Sequence, residues 1–324
     1  MRGADISVQC IRYDNWEKLY FNFAKWGGKI LKIKKSIKKF SALIEILFAA
    51  WGFLFSSFVE AETVVKLPSF FNSHEHFVQP DTAGIMRLRF VTTFDFPPFN
   101  FLDKTGQLAG YHIDLLRAIC SKLNLEKLCE VEVVPWEELV DHVKNGDAEV
   151  IIAGLKETIK TRQDLVFTKS YLRFPARFVA SRFIASQLLN FDGSISDKLA
   201  HLNSGVLSKT VHEKLFRSYF PKAKYQGFKE REVLYKALED HKIDIIFDDG
   251  FALSLWLNDP KSTDCCDFVG GAYMAPQLLG QGMQLSVAKK NEKLVPILNY
   301  ALKSLEDEGK LTELYLRYFP ISFY

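Results

Sequence analysis

The sequence predicts an α/β protein built as two lobes. Three features carry this: short apolar runs of strand length alternate with segments of helical periodicity, the alternation occurs in two successive blocks, and a late strand-like run leads back to the first block. A chain of 324 residues that is 48% hydrophobic and 25% charged has the core-forming material for two medium domains, which excludes the disordered and fibrous classes.

Residues 1–61 form a leader. Lys29, Lys32, Lys34, Lys35, Lys38 and Lys39 precede an apolar run from Ile46 to Val59, and Val59-Glu60-Ala61 offers small or apolar residues where a signal peptidase reads. Export with cleavage near Ala61 is expected. The alternative is a retained anchor over 42–59, a run of 18 residues broken by Glu45, Ser56 and Ser57. Residues 62–86 read as a linker, punctuated by Pro68, Asn72, Ser73, Pro80, Asp81 and Gly84 with no sustained period.

Order begins at Arg87. Leu88 to Thr92 reads as a strand, Phe94-Asp95-Phe96-Pro97-Pro98-Phe99 as an aromatic loop stiffened by two prolines, and Asp103-Lys104-Thr105-Gly106 as a hairpin-like turn. Ile113, Leu116, Ile119 and Leu123 recur on one face of a helix running to about Leu125. Glu132 to Val134 is a strand, Trp136 to Asn145 a helix closed by Gly146, and Ala148 to Ala153 a buried strand followed by Gly154. Phe178 to Ala180 and Gly205 to Leu207 are strands. Helices are expected over Val211 to Tyr219 and Glu232 to Leu238, a strand over Ile243 to Phe247, and a helix over Phe251 to Leu257. Gly282 to Ala288 reads as the returning strand, with closing helices over Leu294 to Leu305 and Leu311 to Tyr318. The lobes are therefore expected at 87–178 plus 280–324 and at 179–279.

Charge and cysteines narrow the function. The leader holds 10 Lys and Arg against 5 Asp and Glu, leaving 32 basic and 34 acidic residues beyond it, so the body gives no electrostatic reason to bind nucleic acid. Beyond the leader, which contains Cys10, stand Cys120, Cys129, Cys265 and Cys266, an even number suited to an oxidising compartment. A local Cys120–Cys129 bridge is the simplest pairing; for the adjacent Cys265 and Cys266 a vicinal bridge and two free thiols both stay open. No metal site is expected, since no C-x2-C pair occurs and His74-Glu75-His76 falls short of H-E-x-x-H. A phosphate loop and a defensible Ser-His-Asp order are also absent from the sequence, and no cofactor is expected.

Arg89-Phe90-Val91-Thr92, Phe96-Pro97-Pro98-Phe99, Gly110 to Leu115, Trp136 to Leu139, Gly146 to Leu155, Thr158 to Arg162, Phe167 to Tyr171, Asp244 to Asp249 and Glu308 to Leu311 together resemble, in order, the family 3 extracellular solute-binding proteins. These are periplasmic amino-acid receptors of ABC importers. The resemblance covers about residues 87–320 and implies a periplasmic-binding-protein-like fold of type II: two α/β lobes joined by paired crossover strands, closing on a small ligand.

Residue by residue, it implies that Phe96 stacks on the ligand and that Arg162 grips its α-carboxylate, a task that suits a planar bidentate guanidinium. Gly154, Lys156 and Thr158 lie on the same ligand segment, whose spacing from Gly154 to Arg162 is one residue longer than the usual pattern. In the second lobe it implies Asp249, or its neighbour Asp248, for the ligand ammonium, and Thr210 at a helix N-terminus. Lys209 stands where glycine is usual and Lys156 where a small hydroxyl residue is usual; a lysine in the cleft would favour an acidic ligand.

The expected protein is thus a monomeric periplasmic receptor for an amino acid or related carboxylate, partnered by a membrane permease and its ATPase. Two alternatives belong to other classes: a dehydratase for prephenate-like acids on the same fold, with a cleft carboxylate such as Glu157 as general acid, and a membrane-tethered sensor.

Overall fold

A computed structural model describes residues 67–71, 75, 77–189 and 194–324. The leader expected over 1–61, its cleavage site and the alternative anchor lie outside the described residues. Among those described, no helix is long and apolar enough to cross a membrane.

Two five-stranded sheets organise the described residues. In the first, β1 (Leu88–Thr92) lies between β5 (Cys129–Val133) and β6 (Val150–Ile151), all parallel, and β13 (Met283–Ala288) and β7 (Leu165–Leu172) complete it antiparallel to their neighbours. The second repeats the plan: β9 (Ser204–Leu207) lies between β10 (Tyr225–Phe228) and β11 (Ile245–Asp249), all parallel, followed by antiparallel β8 (Ala176–Ser181) and β12 (Cys266–Tyr273). A small antiparallel sheet of β2 (Asp95–Phe96), β3 (Asn100–Leu102) and β4 (Leu108–Ala109) carries the aromatic loop and the hairpin.

Helices cover both faces of each sheet, as parallel strands require. In the first lobe, α1 (Tyr111–Lys122) turns Tyr111, Leu115 and Ile119 into the core on one face, while α2 (Leu139–Asn145) brings Leu139 and Val143 to the other. In the second lobe, α3 (Arg182–Leu189), α4 (Ile195–Leu199) and α5 (Val211–Tyr219) pack on one side, and α6 (Arg231–Glu239), α7 (Gly250–Leu257) and α8 (Pro260–Cys265) on the other. The one-turn α9 (Pro276–Leu279) precedes β13, and α10 (Leu294–Asp307) and α11 (Lys310–Tyr318) close the first lobe.

The boundary between lobes differs from the expectation. A division after 178 would cut β8, which pairs with β11 and β12 of the second sheet; the chain crosses over at 173–175 and returns between Tyr273 and Met283. Phe178 belongs to the second core, where it packs on Phe247 with ring centroids 4.6 Å apart. The stretch 62–86 also departs from a free linker in its described part. Phe71 is 5% exposed, sits edge-on to Phe77, and joins the first core, while the Ser69 hydroxyl bonds Glu306 on α10.

The helix expected to begin at Trp136 opens as a single 3-10 turn, Trp136–Glu138, before α2 proper. Cys120 near the end of α1 and Cys129 at the start of β5 are bridged, and so are Cys265 and Cys266, at the junction of α8 and β12.

Candidate functional site

In each sheet a central strand has one neighbour that follows it and another that comes later on the opposite side, so the order reverses at β1 between β5 and β6, and at β9 between β10 and β11. Loops leaving such a reversal diverge and open a crevice at the strands' carboxyl ends. The segments that leave these ends are Thr93 to Phe99, Ile152 to Arg162, Ser208 to Thr210 and Asp249. Every residue expected at the ligand falls on one of them, except the alternative acid Asp248, which lies buried within β11.

On the first lobe, Phe96 stacks on Phe99 with centroids 4.8 Å apart and planes at 28°. Phe99 is fully buried, so the half-buried Phe96 ring rests on a fixed platform. Gly154 lies against it: a Cβ there would stand 3.2 Å from Phe96 Cε1 and 3.3 Å from Met283 Cε, and the φ of +74° is one that a side chain resists. Beneath them His112 is fully buried, its Nδ1 2.7 Å from Asn100 Oδ1 and its Nε2 2.8 Å from Tyr171 Oη. Asn100 turns its amide nitrogen to the Thr93 carbonyl, so its oxygen faces His112 and Nδ1 carries the proton. Burial pushes the imidazole down to about 3, leaving a neutral, fully bonded ring that braces the loop.

Arg162 lies farther out. Thr158 and Thr161 exchange hydroxyl and backbone bonds, Thr158 N–H donating to Thr161 Oγ1 at 2.8 Å and Thr161 N–H to Thr158 Oγ1 at 3.1 Å, and this knot sets the 3-10 turn Thr161–Gln163. The Arg162 side chain is 65% exposed and donates from Nε to Glu157 Oε1 at 2.8 Å. Lys156 and Thr158 are exposed, and the Lys156 carbonyl accepts from Thr161 Oγ1.

On the second lobe, Thr210 caps α5: its hydroxyl accepts from Glu213 N–H at 3.2 Å and donates to the Leu207 carbonyl at 2.7 Å. Lys209 is exposed and left-handed, with φ +62°, and its N–H donates to Glu213 Oε2. Asp249 caps α7 by accepting from Ala252 N–H at 2.9 Å, with its carboxylate 25% exposed. Burial raises the Asp249 carboxyl above its ordinary value, against the Ala252 N–H and His212, which favour the anion. Its neighbour Asp248 is fully buried and committed, receiving Arg231 Nε at 2.7 Å, Arg231 Nη2 at 3.1 Å and Tyr235 Oη at 3.0 Å. That leaves Asp249 as the acid open to a visitor.

Phe96 and Gly154 are thus in contact, Thr158 and Arg162 share one turn with Glu157, and Thr210 and Asp249 cap helices on opposite faces of the second sheet, both starting at its reversal. Sequence reasoning missed four neighbours: Trp136, His212, Arg231 and Phe251. Trp136 is 46% exposed and follows β5, whose Val133 pairs with Thr92, so it stands on the same sheet edge as the Phe96 loop. An aromatic straight after Pro135 at a strand end was the available signal. His212 and Arg231 sit in ordinary amphipathic helices and Phe251 in an apolar one, and none of them gave a signal.

The sequence pattern of the bacterial extracellular solute-binding proteins, family 3, matches residues 88–321. The putative ABC transporter arginine-binding protein 2 of Escherichia coli K12 is 25% identical over 233 residues, which span 72% of this chain and 90% of that protein. The histidine-binding periplasmic protein of Salmonella typhimurium LT2 is 26% identical over 247 residues, 74% of this chain and 89% of that protein. Among solved structures, the unliganded open L-cystine solute receptor of Neisseria gonorrhoeae superposes with a TM-score of 0.59 at 19% identity, covering 73% of this chain and 94% of that one. An ancestral cyclohexadienyl dehydratase superposes at 0.60 with 17% identity over 73% and 93%.

Proposed function

The chain belongs to the bacterial extracellular solute-binding proteins of family 3, and from that premise we propose that it is an exported, monomeric receptor that closes on one amino acid and presents it to an ABC permease and its ATPase. Arg162 takes the α-carboxylate, Asp249 the α-ammonium, and Phe96 stacks on the ligand between them. Thr210 acts through the helix it caps, whose first N–H groups favour a negative ligand group. The observation that carries this reading is a charge of opposite sign at each reversal: an exposed guanidinium, held by Glu157, leaves the first sheet, and the second ends in the one carboxylate of an acidic pair that Arg231 and Tyr235 leave open.

The names of the relatives make arginine and histidine the first ligands to test. Trp136 and Phe96 offer ring faces that suit a cationic side chain. Isothermal titration of L-arginine, L-histidine and neutral amino acids should find one that binds, and Arg162→Ala should weaken it by about 30-fold or more, the loss of a charged partner to the carboxylate. Recovery of the ligand chemically unchanged is expected; its conversion to a new compound would replace the receptor with an enzyme.

A further inference from the structure

His212 lies between the two acids of the second lobe. Its Nδ1 is 3.6 Å from Asp248 Oδ1 and its Nε2 is 3.8 Å from Asp249 Oδ2, and the residue is only 8% exposed. It sits in the first turn of α5, one residue past the start of the helix that Thr210 caps.

The charges around it are few. From β11 it faces Asp248 and Asp249; from α6 it faces Arg231, whose guanidinium is bound in bidentate fashion to Asp248, and Tyr235 acts behind, through its bond to Asp248. On its own side Glu213 is turned away, accepting from Lys209 N–H and Tyr225 Oη. With a neutral His212, two carboxylates oppose one guanidinium, and the cluster keeps a single negative charge at Asp249, matched to one ligand ammonium. With His212 protonated the cluster is neutral, and the imidazolium points its Nε2–H at the carboxylate oxygen a ligand ammonium would use.

We propose that His212 is a positioning residue that couples ligand binding to proton release: its imidazolium competes with the ligand ammonium for Asp249, so the ligand binds to the neutral-His212 form and drives the proton out. This rests on the receptor reading above and on Asp249 as the ammonium partner. Burial pulls His212 below its ordinary value, while Asp248 and Asp249 pull it up and Arg231 down, so the ring is neutral at pH 7 and gains its proton on acidification. Affinity therefore rises with pH through the His212 titration and levels off above it.

The test is isothermal titration of L-arginine into the full chain between pH 5 and 8, in two buffers of different ionisation enthalpy. The dissociation constant should weaken toward a limit of about tenfold for each pH unit below the His212 titration, with up to one proton released per ligand. His212→Gln should lose that dependence, keeping only whatever Asp249 itself contributes at lower pH. In the unaltered protein, the His212 imidazole followed by NMR should titrate at a lower pH when L-arginine is bound, a readout that needs no variant to fold. Equal proton release in His212→Gln, or a His212 titration unmoved by ligand, overturns the proposal while leaving the receptor intact. If L-arginine and the other amino acids bind at no pH, the receptor reading falls and this coupling with it.

Discussion

Phe99 of the first lobe and Phe251 of the second meet with ring centroids 5.5 Å apart and planes at 60°, an edge-to-face contact that joins the lobes. Phe99 also supports Phe96, and Phe251 lies two residues after Asp249, so the residues proposed for the two sides of the ligand are linked through two ring contacts. Phe174 at the crossover and Phe319 and Phe323 beyond α11 stand 5.5, 5.8 and 6.0 Å from Phe251.

Phe251→Ala should therefore uncouple the lobes. The substitution removes four ring contacts from a half-buried site and should cost about 2–4 kcal/mol. More tellingly, scanning calorimetry should show two unfolding transitions, because the apolar links that remain between the cores, Phe268 and Ile321, are only partly buried. One undivided transition would mean that Phe268, Ile321 and the crossover segments suffice to couple the lobes.

His112 should make the protein acid-sensitive. Its folded-state value near 3 lies below the 6.5 of the free imidazole, so between those values the unfolded chain binds a proton that the native one refuses. Stability should fall as pH falls from about 6.5 toward 3, with His112 contributing up to about 1.4 kcal/mol per pH unit. His112→Gln should be less stable at pH 7 through its disturbed bonds to Asn100 and Tyr171, yet its stability should decline less steeply with acid. A slope equal to the parent's, measured by urea unfolding at stepped pH, would assign the acid loss to other groups.

Lys209→Gly should stabilise the second lobe. The lysine is exposed but holds a φ of +62°, where a Cβ is strained and glycine is not. Glycine should gain about 1 kcal/mol in denaturant unfolding, after its own larger loss of chain entropy is counted. Lys209→Ala keeps the Cβ and should gain nothing; an equal gain in both variants would trace the effect to the lysine side chain instead.

How far the sequence alone reached can be seen element by element. The period of Ile113, Leu116 and Ile119 placed α1, the run Val211 to Tyr219 matched α5 end to end, and the bridge from Cys120 to Cys129 followed from two cysteines flanking one helix end. These are local properties: a helix or strand is set by which side chains recur on one face, and a short loop by residues close in sequence. The ordered blocks also sufficed to recognise the family that the match over 88–321 bears out.

Tertiary structure decided what each polar residue is free to do. Asp248 and Asp249 are adjacent and chemically alike, and only the arrival of Arg231 and Tyr235 from α6 consumes the first and leaves the second open. The lobe boundary was likewise invisible locally, because Phe178 reads as a strand residue in either sheet until β8 pairs with β11 and β12. Trp136, His212 and Phe251 acquire their positions from strand order and lobe contact, both long-range pairings. Periodicity records which face of an element is buried, whereas the partner that a buried or half-buried charge meets depends on chain segments distant in sequence, and that is what the assembled sheets supplied.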